Sequence, residues 1–236
     1  MMIRIGNFFF HYRNALFPLA YLLLFLNGPR IIADYRLAVA GGLIVALAGQ
    51  GLRAVTIGLE YIIRGGRNRQ VYAEKLVQGG IFAHCRNPLY VGNFLVILGL
   101  GIACNSRLFL AVGIPFFLFA YWAIIAAEEN YLRSKFGDEF AAYCARVNRL
   151  VPNFSGLGST LQGMRFNWRR LISAEYGSTY AWLAAIILLT LKNLWTNGDY
   201  QWRHGMVCVL WSLLLLVTIA YGIARYLKKS GALKTV

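Results

Sequence analysis

Two polar clusters, separated by an apolar hairpin, decide how this chain is read. The first is Gly79-Gly80-Ile81-Phe82-Ala83-His84-Cys85-Arg86-Asn87-Pro88-Leu89-Tyr90-Val91-Gly92-Asn93. The second is Glu128-Glu129-Asn130-Tyr131-Leu132-Arg133-Ser134-Lys135-Phe136-Gly137. Two lengths of apolar helix lie between them, broken at Asn105-Ser106-Arg107. A hydrocarbon core of ~30 Å takes about 20 helical residues at ~1.5 Å each. A chain that leaves through Leu95 to Ala103 and returns through Phe109 to Ala126 ends on the side it left. Arg86 and Tyr90 are therefore expected to meet Glu128 and Glu129 at one membrane face.

Composition supports a membrane setting. Hydrophobic residues make up 58% of the chain and charged residues 14%, and the apolar runs exceed what a soluble core of this size needs. The net charge is +15, from 24 Lys and Arg against 9 Asp and Glu. These bases flank apolar segments, which points to anionic lipid headgroups and topology and away from nucleic acid. Cys85, Cys104, Cys144 and Cys208 are scattered without a C-x-x-C pair, and His11, His84 and His204 are equally dispersed. Neither a disulfide framework nor a metal site is expected.

The fold class expected is an all-α polytopic bundle of about six spans. The spans are placed at Leu16–Leu26, Leu37–Ile57, the two arms of the hairpin, Ala181–Leu194 and Met206–Ala224. Ala38, Gly42 and Ala46 recur every four residues, a small-residue face for close helix packing in lipid. Asp138 can start a helix with Phe140, Tyr143, Cys144 and Val147 along one stripe, ended by Pro152. Residues 1–48 read as N-terminal spans, 49–152 as a functional core, 153–180 as a basic interfacial linker and 181–236 as a C-terminal pair of spans. Basic residues at Arg64–Arg86, Arg133–Arg170 and Arg225–Lys229 place both polar clusters and both termini on the cytoplasmic side of a bacterial inner or plasma membrane.

Arg86-Asn87-Pro88-Leu89-Tyr90-Val91-Gly92 opens a membrane helix. Pro88 suits the first turn, where no backbone donor is lost. Arg and Tyr are also ordinary interfacial anchors. Glu128-Glu129 is harder to explain structurally, because adjacent carboxylates at a membrane end are costly, and a helix C-terminus would add to the cost. Something cationic should offset them. Arg86 is one candidate and a cationic ligand another. S-adenosylmethionine carries a sulfonium, an ammonium and a carboxylate. Glu128 or Glu129 could take the ammonium or the ribose hydroxyls, and Arg86 the carboxylate. Methyl transfer asks for in-line approach and exclusion of water, and no metal is called for.

These residues resemble the isoprenylcysteine carboxyl methyltransferase and phospholipid methyltransferase group of membrane enzymes. The first half of the pattern falls on Leu76, Val77, Gly80, Phe82, Arg86, Asn87, Pro88, Tyr90 and Gly92. The second falls on Glu128, Glu129, Leu132, Phe136, Gly137, Phe140, Tyr143, Val147, Arg149 and Pro152. The resemblance runs from about Gly49 to Pro152, with Gln50 to Arg53 similar to the segment that ends the preceding span. It implies an S-adenosylmethionine site built from Gly80, Phe82, Arg86, Asn87, Pro88, Tyr90, Glu128 and Glu129. It further implies a lipid-like acceptor held by Arg53 and Arg149, with Glu128, Glu129 and Arg149 as the catalytic set. Many members have His where Asn87 stands, and Glu74-Lys75 occupies a neighbourhood where prenylcysteine enzymes have His. The first means that imidazole chemistry at that position is not general to the pattern; the second weakens a prenylcysteine substrate and leaves methyl transfer intact.

The expected function is methyl transfer to a membrane-embedded carboxylate or amine. An NADPH-dependent reductase of the sterol-reductase type is an alternative, since Tyr143-Cys144-Ala145-Arg146-Val147 echoes the ending of those enzymes. A non-enzymatic membrane scaffold is another.

Overall fold

The computed structural model describes residues 1–59 and 70–233. Arg64, Arg67 and Arg69, part of the basic stretch used for topology, lie outside the described residues. Among those described, the regular elements are helices: α1 (Met2–Tyr21), α2 (Tyr35–Leu59), α3 (Pro88–Cys104), α4 (Ile114–Arg146), α5 (Leu157–Gln162), α6 (Trp168–Thr196) and α7 (His204–Lys229). A five-residue π-helical turn, Phe109–Gly113, leads into α4. Among the described residues, four helical stretches are long and apolar enough to cross a membrane: α2, Phe109–Arg146, α6 and α7. The other two expected spans are α3, which is apolar but has only 17 residues, and α1. The first helix starts at Met2 and carries Arg4, His11 and Arg13 within it, well before the expected start at Leu16.

Glycine lets α2 and α3 cross at backbone distance. A Cβ built on Gly42 would sit 2.4 Å from the Gly99 carbonyl oxygen, and one on Gly99 would sit 2.5 Å from that of Gly42. Nearer the polar clusters, a Cβ on Gly49 would meet the Gly92 carbonyl oxygen at 2.6 Å. The Ala38, Gly42 and Ala46 face is buried, as its spacing predicts. Gly92, open in sequence to a ligand or a helix, is approached by a helix. Lipid offers no hydrophobic drive between helices, so such close packing is what holds them together. Aromatic rings knit α1 to α4: Phe17 meets Phe117 and Tyr121 edge-on, each at 5.4 Å. Tyr121 in turn meets Tyr90 of α3 at 5.6 Å.

Asn105 fixes the far end of the hairpin. Its left-handed backbone (φ 52°) ends α3. Its side chain accepts from the Ile31 and Ile32 amides at 3.1 and 2.9 Å and donates to the Ile32 carbonyl at 2.8 Å. The loop between α1 and α2 is thereby tied to the hairpin turn. At the other end, Gly137 (φ 50°) breaks α4, which separates the membrane-length part from the amphipathic part expected after Lys135. α6 begins at Trp168, inside the stretch read as linker. The Asn167 side chain caps it, accepting from the Arg170 amide at 2.9 Å.

Gly99→Val should lower stability by about 1–3 kcal/mol, because two backbones must part. Gly41→Ala, where an added Cβ meets nothing within 4 Å, should leave stability level or slightly raised. Thermal unfolding of both variants in the same detergent checks the pair.

Candidate active site

The two polar clusters meet. Arg86, in the loop before α3, donates from one guanidinium nitrogen to the Cys144 and Val147 carbonyls at 3.0 and 3.1 Å. From the other it donates to Glu129 Oε1 at 3.2 Å. Arg149 reaches Glu129 Oε2 at 2.6 Å, with its guanidinium 4.5 Å over the Trp122 ring. Glu129 is thus clamped between two arginines. Its neighbour Glu128 accepts from the Tyr90 hydroxyl at 2.7 Å, and Arg13 of α1 acts on it electrostatically. The carboxylates lie well inside α4 (Ile114–Arg146) and not at a helix C-terminus as the sequence suggested. The dipole term fades beyond a terminal turn, so the side-chain cations are what offset them.

Backbone pairing holds this arrangement in register. The Arg86 amide donates to the Asn148 carbonyl and the Asn153 amide to the His84 carbonyl, both at 2.9 Å. Asn87 Nδ2 donates to the Arg149 carbonyl at 3.1 Å, and the Tyr143 hydroxyl to the Phe82 carbonyl at 2.7 Å. His84 has both ring nitrogens engaged, with the Asn153 carbonyl and the Thr160 hydroxyl, which is a structural role. Burial pushes the Cys85 thiol up, and its sulfur lies against the Leu150 carbonyl at 3.5 Å. Cys85 and Cys104 are buried, Cys144 partly so, and Cys208 is exposed.

A cavity of about 1760 Å³ opens beside the clamp. Single-ligand pockets run to about 300–1,000 Å³, so there is room for a cofactor and part of an acceptor together. Of the residues singled out from sequence, Arg53, Phe82, Arg86, Asn87, Pro88, Tyr90, Glu128 and Glu129 border it. Gly80 and Arg149 are not among its lining residues. Gly80, at φ 59°, starts the short turn that carries Phe82. Arg149 supports Glu129 from behind. Arg86 Nε is buried and has no hydrogen-bond partner among the described residues, and the same holds for Arg149 Nε. A guanidinium and two carboxylates bordering one cavity suit a ligand carrying both a carboxylate and a cation.

Sequence reasoning missed one partner. Arg53 of α2 is buried and makes a two-pronged contact with Glu175 of α6, Nε to Oε2 at 2.8 Å and the terminal nitrogen to Oε1 at 2.7 Å. Arg53 is the lone charge of the apolar run Leu37–Leu59 and Glu175 stands in the polar early turns of α6, and buried charges of opposite sign pair with one another. Reading residues 153–180 as a basic interfacial linker hid that signal.

Residues 38–139 match the phospholipid methyltransferase family model. Over that segment, under half of the chain, the protein is similar to the phospholipid methyltransferase family. A cobalt-zinc-cadmium resistance protein of Cupriavidus metallidurans is 36% identical over 48% of this chain and 51% of its own length. A nickel-cobalt-cadmium resistance protein of Alcaligenes xylosoxydans is 37% identical over 34% of this chain and 38% of its own. The protein-S-isoprenylcysteine O-methyltransferase of Schizosaccharomyces pombe is 34% identical over 44% and 45%. The chain spans about half or less of the length of these curated relatives. No solved structure gives a significant match. Among the described residues, no group of three or more His, Cys, Asp or Glu side chains is placed to hold a metal ion. The family match ends before Arg149 and Glu175, so neither residue of the charge network beyond α4's break is covered by it.

Arg53→Ala and Glu175→Ala should each destabilise by about 3–5 kcal/mol, because each strands a buried charge. The double variant should lose less than the sum. Denaturant unfolding of the three variants measures this coupling.

Proposed function

We propose that this protein is an integral-membrane methyltransferase that uses S-adenosylmethionine and acts on a lipid-like acceptor entering the cavity from the bilayer. In this reading the cavity and both termini face the cytoplasm, as the basic segments Arg133–Arg170 and Arg225–Lys229 favour. One observation carries the proposal: both halves of the family pattern converge on the Glu129 clamp at the wall of a cavity large enough for two ligands. The family match and the isoprenylcysteine methyltransferase relative support it.

The cofactor supplies an electrophilic methyl group on a sulfonium. The protein's own residues supply position and field. Arg86, which borders the cavity, is suited to the cofactor carboxylate. Glu128 and Glu129 offer negative charge toward an ammonium or a sulfonium and acceptors for ribose hydroxyls. Tyr90 orients Glu128 through its 2.7 Å hydrogen bond. Arg149 acts as a positioning residue, holding Glu129 at 2.6 Å above Trp122. An amine or hydroxyl acceptor must lose a proton, and Glu128 borders the cavity where it can receive one. The aromatic seam of Phe17, Phe117, Tyr121 and Tyr90 keeps the membrane side of this region dry, which strengthens each electrostatic contact.

Calorimetry with S-adenosylhomocysteine on the purified protein tests the reading. Saturable binding is expected, weakened at least about tenfold (~1.4 kcal/mol) in Glu129→Ala. Binding of NADPH in its place would overturn the proposal and favour a reductase. A folded protein that binds neither would favour a scaffold.

A further inference from the structure

Three tyrosines packed inside this protein give their hydroxyls a protein partner. Tyr35 donates to Asp199 at 2.6 Å, Tyr90 to Glu128 at 2.7 Å and Tyr143 to the Phe82 carbonyl at 2.7 Å. Tyr21 and Tyr121 differ. Both border the cavity, and Tyr121 is only 8% exposed. Neither hydroxyl has a hydrogen-bond partner among the described residues, and neither oxygen is fully enclosed. Arg53 acts on both electrostatically, and Tyr21 acts on Tyr121, so the two hydroxyls share one end of the cavity.

Packing does not call for these hydroxyls. The Tyr21 ring meets Phe117 at 5.4 Å, and the Tyr121 ring meets Phe17 at 5.4 Å and Phe117 at 6.3 Å. Phenylalanine would fill the same seam. A buried hydroxyl left without a partner costs about 1–3 kcal/mol, and buried tyrosine hydroxyls ordinarily find one. Gln50, Arg53 and Trp182, which border the same cavity, are each bonded to a protein group. Tyr121 precedes Glu128 by seven residues of α4, toward the far turn at Asn105. At ~1.5 Å per residue it lies about 10 Å further along the helix than the carboxylates. An extended chain covers three bonds in ~3.5 Å, so that distance is about eight or nine bonds.

We propose that Tyr21 and Tyr121 are specificity-determining residues of the acceptor site. Their hydroxyls hold an uncharged oxygen on the acceptor's apolar chain, about eight or nine bonds in from the end that meets Glu128 and Glu129. A carbonyl oxygen fits best. It carries two lone pairs and can accept from both phenols, and it brings no charge to a depth where charge is costly. A plain hydrocarbon chain reaching this point leaves both donors unpaired, so the site disfavours it against the oxygenated one. The inference rests on the cavity being the acceptor site, as proposed above. It gives a role to Tyr21, which lies before the segment matched by the family model.

The test compares octadecylamine with derivatives carrying a ketone at the ninth or the fourteenth carbon, bound to the protein in phosphatidylcholine nanodiscs. The ammonium is drawn to Glu128 and Glu129, which sets the direction of the chain. Competition against tritiated octadecylamine gives the association constants. Wild type should bind the ninth-carbon ketone at least about fivefold more tightly than the fourteenth-carbon ketone. Tyr21→Phe/Tyr121→Phe keeps both rings and should bring the two ketones within about twofold of each other. Equal binding of the two ketones by wild type would overturn the inference, and is the result expected if the hydroxyls hold only water. An unchanged preference in the double variant, or no binding of any of the three amines, would overturn it as well. Should the double variant fail to fold, each single Phe variant should still lower the preference at least about twofold, and a preference unchanged in both would contradict the assignment. Binding of S-adenosylhomocysteine by wild type is measured beside it. Its failure would count against the methyltransferase reading and leave the ketone result standing.

Discussion

Glu129 held between Arg86 and Arg149 is the interaction on which the rest of the site depends. Arg86 comes from the loop before α3 and Arg149 from the segment after α4, so one carboxylate in α4 ties together pieces separated by a full passage out and back. Partly buried ion pairs contribute little net stability compared with apolar packing, but losing one partner is costly. The clamp therefore specifies position. It sets where the 84–87 and 147–153 segments lie against each other, and their paired backbones set where Tyr90 and Glu128 meet. Arg86, Tyr90, Glu128 and Glu129 all border one cavity.

Helix packing makes this clamp possible. α3 lies against α2 through facing glycines, so its start is fixed by backbone contact and not by adaptable side chains. α1 covers α4 through aromatic rings. The break at Gly137 turns the end of α4 along the polar face, which brings Tyr143 under Phe82. Without that break, the amphipathic stripe of Phe140 and Tyr143 would continue along the α4 axis and Arg149 would not return to Glu129.

Much of this was legible in the sequence because two of its constraints are simple. The lengths of the apolar runs force the hairpin to return, which brings Arg86 and Tyr90 to Glu128 and Glu129 without further information. The four-residue spacing of Ala38, Gly42 and Ala46 marks a packing face, and the face is buried. Less visible were features that depend on a partner far away in sequence. Glu175 looks like one polar residue in a polar stretch until Arg53 is placed beside it, and α6 extends back to Trp168, where the Asn167 side chain caps it. Asn105 sits at a recognisable helix break, yet its grip on Ile31 and Ile32 needs the fold. Arg149 reads as a base open to a substrate, whereas Glu129 and Trp122 occupy it. The start of α1 was missed because its charges, Arg4 and Arg13, lie on a helix whose other face packs on α4. A Cβ on Gly6 would sit 2.0 Å from the Ala123 carbonyl oxygen.

The claim that both halves of the pattern make one cofactor pocket is tested most directly by photolabelling with an azido analogue of S-adenosylmethionine, followed by peptide mapping. Label on peptides from both 76–93 and 121–143, suppressed by excess S-adenosylhomocysteine, is the predicted result. Suppressible label confined to other segments, or no suppressible label on folded protein, would contradict the account.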